Sequence, residues 1–228
     1  ALRFSEDDLI YVRQIIPEIE AYPEFINFLR NFQMSPYKLS SFAGNYEIDF
    51  YGSWTEVALA ETMALSIINQ LYNESVVKKS GSRRKDFKRE GNRRLTEKII
   101  LLDGLRGFKI VEFGTRRRDS YYWQKMVLSR LKDKLPKLLL GTSNVLLAKE
   151  LDLKPTGTFA HELYMVMIGI ALRRENTDEN LRQSHNKVLQ YWWDLYGERL
   201  SIALTDTFGS KFFFEDFTPE QARNWRGL

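Results

Sequence analysis

Four short polar motifs follow one another in the second half of the chain, and each holds residues that can work on a phosphorylated ligand. They are Glu112-Phe113-Gly114-Thr115-Arg116-Arg117-Arg118, Gly141-Thr142-Ser143-Asn144, Thr156-Gly157-Thr158-Phe159-Ala160-His161-Glu162 and Leu204-Thr205-Asp206-Thr207-Phe208-Gly209. Gly-Thr and Gly-Thr-Ser pairs bring backbone N–H groups and hydroxyls close to a phosphate. Three consecutive arginines offer planar, bidentate charge to phosphates or carboxylates. One histidine and one aspartate add groups that can be phosphorylated or can hold a hydroxyl or a metal. The set points to chemistry on a phosphorylated sugar.

Taken singly, each residue also has an ordinary reading. His161 is one of two histidines and opens a helix directly after a Gly-Thr turn. There an imidazole can attack the γ-phosphate of ATP or simply be hydrogen-bonded, and spacing leaves both open. His185 lies mid-helix among Gln183, Asn186 and Lys187 and reads as a surface residue. Ser143 reads as a cap for the helix that starts near Asn144 and Val145, as do Asp206 and Thr207 for theirs. Phe113 reads as core. Arg116, Arg117 and Arg118 cannot all face one ligand if they continue a strand, because strand neighbours point opposite ways; Arg118 then pairs with Asp119 or meets solvent.

Each motif follows or ends a short apolar run: Phe108 to Val111, Leu138 to Leu140, the stretch at Lys154-Pro155, and Ser201 to Leu204. Segments of helical period separate them, so the order reads strand, polar turn, helix, four times. In parallel sheets and barrels the binding groups gather at the carboxyl ends of the strands. Four such units cannot close a barrel alone, so they imply partner strands. Upstream, Leu9, Val12, Ile15 and Ile16, then Phe25, Phe28, Leu29 and Phe32, predict two short helices interrupted by Pro17 and Pro23. Alternation from Tyr37 to Trp54 predicts a hairpin turning at Gly44-Asn45, with Phe42, Tyr46, Ile48 and Phe50 on one face. Two long helices follow, Thr55 to Tyr72 and Asp86 to Gly104.

Composition fits a folded globular protein: 43% of the 228 residues are apolar and 14% aromatic. Zero cysteines exclude disulfides, thiolate nucleophiles and cysteine-ligated metals. No apolar run approaches the ~20 residues needed to cross a bilayer, and the first residues lack a signal-peptide core, so a cytoplasmic protein without membrane contact is expected. Between Lys78 and Arg94 nine Lys or Arg stand against Asp86 and Glu90, more than the whole net charge of +4. That run invites a nucleic-acid reading. It holds only one aromatic, Phe87, so a solvated connection between helices is the better account. Phe212, Phe213 and Phe214, like Tyr191, Trp192 and Trp193, read as core or dimer contacts.

The four phrases, in this order and spacing, resemble the nicotinate phosphoribosyltransferase family, most closely its bacterial form. Weaker similarity reaches back through Gly52-Ser53-Trp54-Thr55-Glu56-Val57. The resemblance implies an α/β fold, part of an irregular (β/α) barrel of the type II phosphoribosyltransferase kind. Residues 1–106 would be a partial α+β side domain and 107–228 the first half of the barrel. It implies synthesis of nicotinate mononucleotide and diphosphate from nicotinate and 5-phosphoribosyl-1-diphosphate, coupled to ATP, with Mg²⁺ accompanying the diphosphate, in a homodimer. By family pattern His161 is the autophosphorylated histidine. Phe113, Gly114, Thr115 and Arg116 meet the pyridine ring, nicotinate or pyrophosphate, with Phe113 stacking. Ser143 and Asn144 border the nicotinate site, Thr158 touches nicotinate, and Asp206 and Thr207 look toward the ribose and its magnesium. In nicotinamide-using relatives an acid stands where Ser143 is, so a hydroxyl favours the acid form of the vitamin. Family members are much longer, opening with a tyrosine- and lysine-bearing segment and continuing past the equivalent of Leu228 into an acidic phosphoribosyl-binding loop. This chain carries neither, and is expected to be an internal piece that needs them for activity. The rival readings are a nicotinamide-type enzyme and a non-catalytic basic module binding nucleic acid.

Overall fold

In the computed structural model, which describes residues 3–228, helix α1 (Glu6–Ile15) begins at a reciprocal cap. The Asp8 N–H donates to Ser5 Oγ at 3.2 Å and the Ser5 N–H to Asp8 Oδ2 at 3.0 Å. Pro17 opens a single 3₁₀ turn and Pro23 opens α2 (Pro23–Arg30). The apolar faces of these pieces meet around Leu9, Ile19, Ile26 and Leu29. Strands β1 (Tyr37–Phe42) and β2 (Asn45–Phe50) form the expected antiparallel hairpin. Its turn sits one residue earlier than expected, at Ala43-Gly44, both with positive φ. This is the primed turn that a two-residue hairpin requires. Ser41 stands opposite Tyr46; any two-residue turn pairs an even position with an odd one, so, against expectation, Phe42 lies on the other face from Tyr46, Ile48 and Phe50 and is 86% exposed.

The two long helices are α3 (Trp54–Lys79) and α4 (Arg84–Asp103). Helix α3 outruns the expected Tyr72 by two turns because no breaker follows and Val77 is buried near its end. Most arginines of the basic run are consumed by carboxylates nearby. Asp86 pairs with Arg83 and Arg89, Glu90 with Arg93 and Arg94, and Asp119 with Arg84. Then β3 (Ile110–Glu112), α5 (Tyr121–Lys134), β4 (Leu139–Thr142) and α6 (Val145–Leu151) follow. β3 and β4 pair in parallel, with Val111 opposite Gly141 and Glu112 opposite Thr142. Thr142 also bridges Pro155 in the parallel sense and donates its N–H to the Lys154 carbonyl at 3.1 Å. The first three apolar runs thus lie side by side.

The chain divides into two compact units, the first ending at Pro155 and the second covering Thr156–Leu228. The second contains α7 (His161–Arg174), α8 (Asp178–Tyr196), α9 (Ser210–Asp216) and α10 (Pro219–Asn224). Its core gathers Phe159, Tyr164, Ile168, Val188, Leu189, Ala203, Phe213 and Trp225. The fourth run survives as one parallel bridge, Ile202 to Gly227. Among the described residues the architecture is therefore mixed but mainly helical, with short strands.

His185 is the clearest departure from expectation: it is buried, at 2% exposure. Its ring stacks on Tyr164 with centroids 4.3 Å apart, and the edges of Phe212 and Phe213 close it in. Its polar neighbours occupy other faces of α8, whereas Leu181, Ser184, Val188, Leu189 and Trp192 recur with it at helical spacing. The aromatic triplets split likewise: Phe213 is core, but Phe214 and Tyr191 are exposed.

Candidate functional site

In the first unit, β3 delivers Glu112 to the start of the first polar turn, and its carboxylate folds back to accept the Gly114 N–H at 2.7 Å. A Cβ on Gly114 would stand 2.8 Å from Glu112 Oε1, so a side chain here would push the carboxylate out of this position. The turn then tightens into a 3₁₀ segment, Thr115–Arg117, closed by the Arg117 N–H on the Gly114 carbonyl at 3.0 Å. At three residues per turn, successive side chains fan out rather than alternate. The strand argument for the three arginines is corrected accordingly.

Arg116 meets Glu61 of α3 at 2.6 Å, and its carbonyl accepts from Asn69 Nδ2 at 2.8 Å. Arg117 is exposed. Arg118 turns inward: its guanidinium lies 5.4 Å from the Tyr121 ring and donates to Gln124 Oε1 at 3.3 Å. Burial lowers its pKa, and the expected partner, Asp119, belongs to Arg84. Phe113 is 80% exposed, which removes the core reading and leaves an aromatic face open beside Arg116.

β4 ends in the second turn. Here the cap of α6 is Asn144, not Ser143: Asn144 Oδ1 accepts the Leu147 N–H at 3.0 Å. Ser143 is exposed and is held through its backbone, its N–H donating to the Glu112 carbonyl at 2.8 Å. Thr115 and Asn144, from two different turns, are brought together, with Asn144 Nδ2 donating to Thr115 Oγ1 at 3.0 Å. Between them stands Gln124 of α5, which sequence reasoning missed along with Glu61, Asn69 and the role of Glu112. The one signal for Gln124 was its place on the spacing of Leu128 and Leu131, the buried stripe of α5.

In the second unit, His161 is the first residue of α7, and no side chain caps that helix. His161 Nε2 lies 2.7 Å from Asp206 Oδ1. The carboxylate is 71% exposed and the imidazole one-third exposed, so both remain open to a ligand. Asp206 and Thr207 are not caps, since Gly209 precedes α9 with φ 96°. Two hydroxyls near the pair in sequence, Thr158 Oγ1 and Thr207 Oγ1, are buried and have no hydrogen-bond partner among the described residues. An unmet buried hydroxyl costs about 1–3 kcal/mol, a cost a bound ligand or water would relieve.

Residues 108–228 match the family model described as the nicotinate phosphoribosyltransferase (NAPRTase) family. Over the whole chain the fold is similar to a solved nicotinate phosphoribosyltransferase from Vibrio cholerae, with TM-score 0.78 and 31% identity, covering 100% of this chain and 52% of that one. A nicotinate phosphoribosyltransferase structure from Porphyromonas gingivalis gives TM-score 0.74 and 27% identity over 99% of this chain and 54% of its own length. The chain thus spans about half the length of the solved structures it matches.

Proposed function

The chain belongs to the nicotinate phosphoribosyltransferase family, and from that premise we propose that it serves an enzyme joining nicotinate to the ribosyl group of 5-phosphoribosyl-1-diphosphate. The products are nicotinate mononucleotide and diphosphate, and ATP hydrolysis is coupled through His161. Residues 107–228 would supply the first half of an irregular (β/α) barrel and residues 1–106 a side domain. The barrel reading is supported by the parallel pairing of β3, β4 and Pro155. A homodimer and a cytoplasmic setting belong to the same proposal, on the family resemblance. Among the described residues no helix is long and apolar enough to cross a membrane.

The His161–Asp206 contact carries this reading. A carboxylate holding the proton on Nε2 leaves the lone pair on Nδ1, where it can attack the γ-phosphorus of ATP as the bond to the ADP oxygen breaks. Phosphorylation adds about 1.5–2 negative charges beside Asp206, which loosens the pair and redirects nearby cations. The transfer itself has an oxocarbenium-like transition state. The protein's part is to hold both reactants in line and bind the departing diphosphate. Phe113 offers a face for the pyridine ring, Arg116 a planar fork for an anion, and Ser143 a hydroxyl for the nicotinate carboxylate. Among the described residues no three ligating side chains converge on a metal position. Mg²⁺ would therefore be held chiefly by diphosphate oxygens and water, with exposed Asp206 able to add one oxygen. The nicotinamide-type alternative fits less well, because Ser143 is a neutral hydroxyl where those relatives carry an acid, and it does not repel the nicotinate carboxylate. The nucleic-acid alternative loses ground to the ion pairs of α4.

Phosphohistidine is acid-labile and base-stable. Incubating the complete enzyme with γ-labelled ATP should give a protein label lost on mild acid treatment, and His161→Asn should abolish it while slow, ATP-independent synthesis persists. Label that survives in His161→Asn would overturn the assignment.

A further inference from the structure

We propose that Glu112 and Gln124 are positioning residues, one hydrogen-bonded hub that fixes the Phe113–Arg116 turn and the Ser143–Asn144 turn relative to each other. The proposal rests on the phosphoribosyltransferase reading and extends it to two residues that touch no substrate. The Glu112 carboxylate accepts four contacts from three donors on three different elements. These are the Gly114 N–H at 2.7 Å, Thr142 Oγ1 at 2.7 Å, and Gln124 Nε2 at 3.0 Å from each oxygen. Its main-chain carbonyl meanwhile holds the Ser143 N–H at 2.8 Å. One residue therefore ties down the backbone on both sides of the candidate nicotinate site.

Gln124 completes the link. Its Nε2 also reaches Thr115 Oγ1 at 2.9 Å, and its Oε1 accepts from Asn144 Nδ2 and from Arg118 Nη1, each at 3.3 Å. Gln124 is 4% exposed and Thr142 fully buried. In such a setting a polar network fixes geometry only if every member is satisfied. An acid among three arginines would ordinarily be their counter-ion, but Arg116 takes Glu61 and Arg118 takes Gln124. The hydrogen bonds of Glu112 all come from neutral donors, so besides the charge it sets through space near Arg118 it orients the loops. The consequence is functional: Phe113 and Arg116 on one turn and Ser143 on the other can address one small planar acid only while their separation is fixed.

The test uses the complete enzyme. Glu112→Gln turns an acceptor oxygen into a donor facing Gly114 N–H or Thr142 O–H. Gln124→Glu sets two carboxylates face to face. Each should lower kcat/KM for nicotinate at least tenfold, chiefly by raising KM, and should shrink the preference for nicotinate over nicotinamide at least threefold. The double exchange E112Q/Q124E restores one carboxylate and one amide and should recover at least threefold over the worse single variant. Should either variant fail to fold, Gln124→Met removes the bonds at similar volume without repulsion and should show the same KM and selectivity changes, with far-UV circular dichroism confirming the fold. Variants that lose thermal stability while KM and selectivity stay unchanged, or an exchange that rescues nothing, would overturn the hub. A parent enzyme that makes no nicotinate mononucleotide would instead sink the functional reading beneath it.

Discussion

Replacing His185 tests whether the aromatic core of the second unit is built as the structure shows. The imidazole stacks on Tyr164 at 7° and 4.3 Å, with Phe212 and Phe213 edge-on at 5.6 and 5.9 Å and Phe208 at 6.2 Å. An aromatic pair contributes about 0.5–1.5 kcal/mol beyond area, and the contacts share one ring, so they do not add in full. His185→Ala, which also leaves a cavity, should cost about 2–4 kcal/mol. The pH dependence is more specific. Burial lowers the His185 pKa below its ordinary 6.5, with Asp216 opposing weakly. The unfolded chain then takes up the proton first as pH falls through about 6.5. Stability contributed by neutral His185 is therefore complete above that pH. It declines at up to about 1.4 kcal/mol per pH unit below it, until the folded-state pKa is passed. His185→Phe keeps a ring and abolishes the proton. Overpacking can cost it about 1–3 kcal/mol, but that cost does not vary with pH. Urea titrations of the 228-residue chain between pH 7.5 and 5, followed by circular dichroism, should show the parent losing stability faster than His185→Phe. Parallel curves, or an alanine cost below about 1 kcal/mol, would refute the burial argument. Tyr164 stands one turn beyond His161, and Phe208 two residues beyond Asp206. His185→Ala should therefore also reduce acid-labile phosphate on an intact His161.

Arg116→Lys keeps the charge and loses the fork, so the complete enzyme should lose at least tenfold in kcat/KM, roughly 1.4 kcal/mol or more. Its stability should change by less than about 1 kcal/mol, since the pair with Glu61 is more than a third exposed on both sides. Arg118→Lys, on the inward side, should affect catalysis much less; equal losses would place the ligand on the other side of the turn. Ser143→Asp should weaken nicotinate binding in calorimetry, because a second carboxylate would face the ligand's own. It should leave stability unchanged, because Asn144 does the capping. Equal affinity of the parent for nicotinate and nicotinamide would remove Ser143 from the specificity argument.

What the sequence disclosed was what is local. Proline breaks and a hairpin turn are written within a few residues, and the structure keeps them, moving the hairpin turn by one residue to suit its positive φ values. The polar motifs were legible for the same reason: glycine and hydroxyl residues cluster where a chain must turn beside a ligand. Long-range choices were not legible. Whether a polar residue on α8 is buried depends on what packs there, so the helical spacing of His185 with Val188 and Leu189 was outweighed by its polar neighbours. The fate of Arg118 depended on Asp119 being claimed by Arg84, 35 positions away.

Glu112 and Gln124 show how far this reaches. Their partners Thr115, Thr142 and Asn144 come from separate turns, and no periodicity connects them. Yet two traces were present: an amide on the buried stripe of α5, which needs a polar partner wherever it lands, and a glycine two residues after an acid. The structure joins these traces, because a Cβ at position 114 would stand 2.8 Å from Glu112 Oε1, and the carboxylate would have to shift from its place in the network. That place is what commits Glu112 to Gln124 and Thr142 rather than to the arginines beside it. A motif that reads as a run of cations is therefore held in shape by the acid that precedes it, and losses at position 112 should appear at the ligand before they appear in the fold.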